Sequence, residues 1–348
     1  MKKFLLSLML SLGVSVAHAD YTMVVPQAAG GGTDVWARIV AKQLEKKLGE
    51  PILIKNLPGI NDIPGFNAFH NTLRKDPKTI MVAHGGNAES FLVHKVDYDY
   101  SQYQPIGLMN LTIMVGHRND SDPFDGIRFS AGSGMNPDVM AMTLLVCGPN
   151  KSMDEYLKCY QEKIVYVKGM KGNERRLAYM RGELNTTRET TAAYFKHSRK
   201  VEQNVDWFSH GVMDINTGKI VSDKNFPGLT FQEVYKKKWS VDPSGEFYDA
   251  YVLVKSYRDV LQKSLWMDKG NPNAGKVTQA LRDVVADKEA LAEIQKQTGD
   301  YAFIVGGDVN KATDALRKQT TEQALKNLVW FVTVGLGQQA EYKENLVK

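Results

Sequence analysis

The sequence predicts an α/β protein of two lobes, each a mixed or mostly parallel sheet flanked by helices, with a cleft between them. Three observations lead there. Short apolar runs at 21–25, 51–54, 79–83 and 163–168 alternate with segments of helical periodicity, the pattern of strands joined by crossover helices. A strand, a glycine-rich turn and a helix start occur together in each half, at Val24 to Asp34 and again at Ser130 to Asp138. Two extended apolar stretches, 106–116 and 248–254, are placed to carry the chain into a second lobe and back.

Residues 1–19 are read apart from the fold. A basic start, Met1-Lys2-Lys3, precedes an apolar run from Phe4 to Val16 and a small-x-small site, Ala17-His18-Ala19. This is the pattern of a secretory signal peptide, predicting cleavage near Ala19 and a periplasmic product. Lobe 1 is then expected over 20–118 plus 249–348, and lobe 2 over 119–248.

The first lobe opens with a strand at 21–25 and a helix over 35–48, whose Trp36, Ile39, Val40, Leu44 and Leu48 share one face and whose stop is Gly49. A strand at 51–54, a helix at 66–73 and a buried strand at 79–83 follow, the last running into a loop at His84-Gly85-Gly86-Asn87 expected to line a pocket. In the second lobe a strand at 126–130 leads to the second glycine turn, with Asn136 as N-cap and Pro137 in the first turn of a helix. A strand at 163–168 and a helix at 173–181 come next. Residues 187–227 are polar and receive no assignment. Helices over 274–297 and 309–327 complete the first lobe.

Composition excludes several functions. The chain of 348 residues carries 44 Lys and Arg against 39 Asp and Glu, interspersed and without a basic tract, which argues against nucleic acid as a partner. The histidines lack metalloenzyme spacing, and neither a Gly-x-Ser-x-Gly nucleophile nor a Gly-Lys-Ser/Thr phosphate loop is present. Pro137 stands where a dinucleotide fingerprint needs its third glycine. The expectation is therefore no catalysis, no metal and no cofactor. Cys147 and Cys159 are the two cysteines, and in an oxidising compartment they are placed either to bond or to remain two buried thiols.

The glycine turns carry the functional expectation. Glycine lets backbone approach a ligand closely, and a helix start offers unpaired N–H groups at the positive end of its dipole. Such a device binds anions. Two of them facing one cleft would grip the two ends of a small organic acid as the lobes close. The candidate ligand-binding residues are Gln27, Ala28, Ala29, Gly30, Gly31, Gly32, Thr33 and Asp34 in the first turn, and Gly85, Gly86 and Asn87 beside it. In the second lobe they are Ser130, Gly132, Ser133, Gly134, Met135, Asn136 and Asp138, with Lys168 and Asn185. Asp34 and Asp138 each admit two readings, a ligand contact or a carboxylate that complements its helix dipole.

These residues resemble a family, the substrate-binding proteins of tripartite tricarboxylate transporters, or Bug receptors. Val24-Val25-Pro26, Gly31-Gly32 and Asp34 fit its VVPFxPGGxxD turn, and Lys55-Asn56-Leu57-Pro58-Gly59 fits its ENRPGAGG segment. Tyr98-Asp99-Tyr100 with Pro105-Ile106-Gly107 resembles a later stretch. Ser130 to Gly134 is similar to its SSGxGSxxH loop, Val165 to Gly169 to VPYKG, and Gly182 to Asn185 to GGxVD. The family's proline is Ala29 here, its serine Met135, its histidine Asp138, its tyrosine Val167 and its aspartate Asn185, and 147–163 reads as an insertion. The resemblance implies the class II periplasmic-binding fold, a monomer, and delivery of an organic carboxylate to integral-membrane permease subunits, with a membrane sensor protein as the alternative partner.

Overall fold

The computed structural model describes residues 20–131, 137–170, 172–301 and 303–347. Strand β1 (Tyr21–Val25) passes through the first glycine turn into α1 (Gly32–Leu48), which buries Trp36, Val40, Leu44 and Leu48 at helical spacing. Gly49, at φ 71°, ends α1 and its N–H closes on the Glu45 carbonyl, a left-handed cap that suits glycine. β2 (Ile52–Asn56), α2 (Ile63–Asn71), β3 (Thr79–His84) and α3 (Gly85–Val93) follow, and β4 (Tyr103–Met109) completes the outward leg.

The second lobe begins with β5 (Ile113–Arg118) and β6 (Ile127–Ala131). It continues through α4 (Pro137–Cys147), α5 (Met153–Lys163), β7 (Ile164–Lys168), α6 (Gly172–Met180), β8 (Thr186–Thr190) and α7 (Thr191–Lys196). β9 (Asn204–Ser209), the short pair β10 (Val212–Met213) and β11 (Ile220–Val221), and α8 (Phe231–Trp239) close it. The polar stretch 187–227 thus holds ordered strands whose buried face is largely threonine and aromatic. Helix α9 (Glu246–Val260) leads back to β12 (Lys263–Asp268), α10 (Ala274–Ala286), α11 (Lys288–Thr298), β13 (Phe303–Val305), α12 (Gly307–Gln319) and α13 (Glu322–Trp330).

The first lobe is built on one six-stranded sheet in the order β13-β4-β12-β3-β1-β2. β1 is parallel to β2 and β3, Val24 standing opposite Lys55 and Met81. β12 enters antiparallel between β3 and β4, Leu265 opposite Val82 and Gly107, so the sheet is mixed rather than mostly parallel. The second lobe carries an antiparallel sheet β8-β5-β9 and a parallel pair β6-β7.

The stretch 106–116 resolves into β4 and β5, which lie in different sheets, so the chain does cross between lobes there. The return stretch 248–254 is a correction: it is the middle of helix α9, not a strand. Phe247, Ala250, Tyr251, Leu253 and Val254 are all fully or nearly fully buried, leaving α9 only a narrow wet side over this run, with Asp249 exposed and Tyr248 and Val252 half-buried. A mostly apolar run with so narrow a stripe fits either period, and length decides against a strand only once the flanks are known. The segment His84 to Asn87 is also a correction, being the start of α3 rather than a loop. The helix expected over 274–297 breaks at Asp287, whose carboxylate accepts from the Glu289 and Ala290 N–H groups and starts α11. The one expected over 309–327 likewise divides, Thr321 capping α13.

Two apolar cores result. One lies between the first sheet and α1 and α10, with Trp36, Val40, Ile80, Leu265 and Leu281. The other runs from Phe66, Met81 and Leu92 in the first lobe through Tyr251 and Val254 of α9 to Phe129 and Leu144 in the second. Helix α9 therefore joins the lobes along one side through continuous packing. The opposite side is open.

Candidate ligand cleft

The first glycine turn is held from behind by Asp34. The Gly30 N–H donates to Asp34 Oδ2 at 2.8 Å, Arg38 Nε donates to the same oxygen at 2.9 Å, and Asn56 Nδ2 donates to Asp34 Oδ1 at 2.9 Å. Gly30 has φ 79°, and the backbone it imposes is what brings its N–H round to that carboxylate. Burial pushes the Asp34 carboxyl up, but these hydrogen bonds outweigh it and hold it below 3.8. Helix α1 then starts from Gly31, an N-cap without a side chain to accept from the first-turn N–H groups. Gly30, Gly32 and Thr33 line a cleft of about 900 Å³.

The adjoining wall is a stapled loop. Asn61 and Asp62 are consecutive non-glycine residues at φ 54° and 61°, a conformation that costs about 1 kcal/mol or more per residue and persists only where surroundings enforce it. They do so here: Gln27 Nε2 donates to Asp62 Oδ2 at 3.1 Å, Asn87 Nδ2 donates to the Asp62 carbonyl at 2.8 Å, and Ser90 Oγ donates to the Asn61 carbonyl at 3.0 Å. His84 caps α3 in an unusual way, its Nδ1 accepting from the Gly86 N–H at 3.0 Å while Asn87 Oδ1 accepts from the His84 N–H at 3.1 Å. Burial lowers the His84 pKa below 6.5, against the pull of the Asp62 carboxylate 3.1 Å from Nδ1. Gly85 packs tightly: a Cβ there would stand 2.2 Å from Gln262 Oε1 and 2.8 Å from Arg258 Cγ.

Charge sets the character of the space. Seven Lys and Arg side chains line the cleft against three carboxylates, Asp62, Glu89 and Glu189. Lys263, the first residue of β12, is buried and its Nζ donates to Thr33 Oγ1 at 2.7 Å, which places an amine at the open start of α1. Burial lowers its pKa to about 7, the Asp62 carboxylate opposing that shift. Arg258, near the end of α9, reaches Glu89 Oε1 at 3.2 Å and Asp138 Oδ2 at 3.1 Å. From the second lobe come Arg188 of β8 and the adjacent Arg175 and Arg176 of α6. Arg176 spans Glu189, Nε to Oε1 at 2.8 Å and Nη2 to Oε2 at 3.1 Å. Positive charge thus gathers at one end of the space, where the uncapped start of α1 meets the Lys263 amine, and on the second-lobe wall at Arg175, Arg176 and Arg188.

No family model matches the chain, but two curated relatives do over part of it. Protein BugT of Bordetella pertussis is 27% identical over 111 residues, covering 30% of this chain and 34% of that one. The UPF0065 protein in the TAR-I ttuE-ttuC' intergenic region of Agrobacterium vitis is 33% identical over 116 residues, covering 31% and 32%. The chain thus aligns with about a third of the length of either relative. Among solved structures, the periplasmic binding protein BugD superposes over 91% of this chain and 98% of its own, with a TM-score of 0.58 at 18% identity. The chain is thus similar to Bug-type proteins over part of its sequence and shares the fold of BugD. MatC from Rhodopseudomonas palustris, solved with bound malate, gives 0.56 at 14% identity over 88% and 98% of the two chains, and a Polaromonas TctC solute binding protein gives 0.56 at 15% over 90% and 99%. The fold is accordingly the two-lobed α/β fold of periplasmic binding proteins.

The remaining sequence candidates fall in different places. Gln27, Gly30, Gly32, Thr33 and Gly86 line the cleft, whereas Ala28, Ala29, Gly31, Asp34, Gly85 and Asn87 do not; of these Asp34, Gly85 and Asn87 are buried and Ala28 and Ala29 are exposed. Gly132, Ser133, Gly134, Met135 and Asn136 lie outside the described residues. Ser130 is buried at the end of β6. Asp138 is fully buried in the first turn of α4, 2.8 Å from His210 Nε2 and 3.0 Å from Arg188 Nε as well as bonded to Arg258. Burial raises its carboxyl, and Arg258 and His210 more than reverse this, holding it below 3.8. Lys168 Nζ donates to the Leu336 carbonyl. Asn185 accepts from the Arg128 N–H at 2.7 Å and donates to the Gly126 carbonyl at 2.9 Å, tying the start of β6. None of these four lines the cleft. Cys147 and Cys159 are bonded, with Cα atoms 6.1 Å apart, and join the end of α4 to α5. Among the described residues no group of three or more His, Cys, Asp or Glu is arranged to hold a metal ion.

Lys263, Arg258, Arg175 and Arg188 escape the sequence reading altogether. Arg175 and Arg176 sit in a helix of low hydropathy and look like a solvated face, and Lys263 looks like a residue at a strand edge. Nothing local marks them as buried.

Proposed function

We propose that this chain is a periplasmic receptor that captures a small organic carboxylate as lobes 20–118 plus 249–348 and 119–248 close, and hands it to permease subunits of the tripartite tricarboxylate type. One observation carries the reading: the Lys263 amine and the uncapped start of α1 face the same cleft, where cations outnumber carboxylates. Structures of the same fold support it, since MatC was solved with malate and an R. palustris protein of TM-score 0.57 with adipate. Export rests on residues 1–19, which lie outside the described residues; no helix of the described residues is long and apolar enough to cross a membrane.

Binding without turnover distinguishes this role from catalysis. The bound acid is expected to be recovered unchanged. Thermal-shift screening of the mature chain against mono-, di- and tricarboxylates, amino acids and sugars is expected to raise the melting temperature with acids alone. Stabilisation by a different class with none by acids overturns the proposal, as does conversion of the acid to product.

A further inference from the structure

We propose that Arg175 and Arg188 form a guanidinium site on the second-lobe wall of the cleft that holds one acidic group of the ligand, so that the chain selects acids carrying at least two negative charges. The inference rests on the receptor reading above and deepens it. The two glycine turns of the sequence lead to an expectation of recognition by backbone N–H groups. Among the described residues, the second-lobe wall presents side-chain cations.

Arg175 is only 6% exposed. Its Nε is buried and makes no hydrogen bond among the described residues; the one carboxylate there within 4 Å is Glu189, 3.9 Å from Nη2, with Asp138 farther off. That carboxylate is already spanned on both oxygens by Arg176. Arg188 is in the same position. Its Nε stands 3.0 Å from Asp138 Oδ2 without the alignment of a hydrogen bond, and its Nη2 is buried with no acceptor among the described residues. Asp138 is shared with Arg258 and His210, so one carboxylate serves three cationic or potentially cationic groups.

A guanidinium has five N–H donors and stays charged even when burial pushes its pKa down, as it does for Arg175. Held in a protein without full counter-charge, it costs stability, and a partner that arrives with the ligand repays that cost. A carboxylate suits the role, because its two oxygens match the fork of an arginine. Both arginines line the same cleft as Lys263 and the start of α1. An acid with a single charge satisfies the Lys263 end and leaves Arg175 and Arg188 as they are. A second charge on the same molecule completes the second wall.

The test is calorimetric titration of the mature chain with length-matched pairs, succinate against butyrate and adipate against hexanoate, with citrate as a third charge state. The wild type is expected to bind a dianion about 100-fold more tightly than its monoanionic match. Arg175→Met and Arg188→Met should each weaken the dianion about 30-fold while leaving the monoanion within about threefold. Arg175→Met should also leave the ligand-free melting temperature unchanged or raised, because an uncompensated buried charge is gone, and Arg175→Lys should recover part of the dianion affinity. Two results overturn the inference while leaving the receptor intact: matched mono- and dianions binding within threefold of each other, or Arg175→Met lowering the ligand-free melting temperature with the dianion preference kept. If no acid binds the wild type and another class does, the receptor reading itself falls.

Discussion

Replacing Lys263 with methionine tests the cleft through its protons. In the ligand-free protein burial lowers the lysine pKa to about 7, whereas an unfolded chain holds it at about 10.4. Between those values the unfolded state binds more protons, so stability rises with pH across that window, by up to about 1.4 kcal/mol per unit. An anion at the start of α1 favours the charged amine, so binding above pH 7 must take up a proton. With a pKa of about 7 in the free protein and the amine charged throughout in the complex, the charged fraction of the free protein falls from about one half at pH 7 to about one hundredth at pH 9, and affinity falls about fiftyfold. Titration calorimetry at pH 8, in two buffers of different ionisation enthalpy, should report uptake of about 0.9 proton per ligand bound. Lys263→Met should bind more weakly at pH 7, about tenfold or more for the loss of a charge-assisted hydrogen bond, and should show neither uptake nor a pH slope. His84 and His197 are both lowered below 6.5 and do not titrate in this window. Lys343, lowered to about 8 by burial, does titrate there, but it contacts the Phe91 carbonyl outside the cleft, so binding rather than melting decides. A wild-type affinity that stays level from pH 7 to 9 without proton uptake refutes the assignment.

Asp34→Asn should loosen the glycine turn by removing the acceptor shared by the Gly30 N–H and Arg38, costing about 1–3 kcal/mol and weakening every ligand alike. Because its folded pKa lies below 3.8, the stability Asp34 contributes is present above its unfolded value and lost as pH falls through the folded one, so urea midpoints of wild type and variant should converge at low pH. Reducing the Cys147–Cys159 bond, which closes a short loop between α4 and α5, should cost about 3 kcal/mol in chemical denaturation without changing ligand affinity, since neither cysteine lines the cleft.

What the sequence makes legible is what backbone geometry demands locally. The first glycine turn is readable because a strand end, a residue at φ 79° and an uncapped helix start must follow one another in a few residues. Helix α9 is misread because its wet side is narrow: over 248–254 Asp249 is the one exposed residue, beside half-buried Tyr248 and Val252, too little to record amphipathic spacing. The start of α3 is misread because its cap is His84, whose ring nitrogen does the work usually left to Ser, Thr, Asp or Asn.

The cations of the cleft raise a different problem, since their chemistry is written by neighbours far away in the chain. Arg175 and Arg176 are adjacent in sequence and both line the cleft, yet Arg176 spans both oxygens of Glu189 while Arg175 stands 3.9 Å from one of them. Lys263 is an ordinary strand-end lysine until β12 slots antiparallel between β3 and β4 and brings it against Thr33, 230 residues earlier. That insertion depends on α9, the element the sequence hides best. A glycine turn can therefore mark an uncapped helix start, whereas the cations around it are brought in by distant elements, Lys263 by β12 and Arg175 and Arg188 by α6 and β8 of the second lobe.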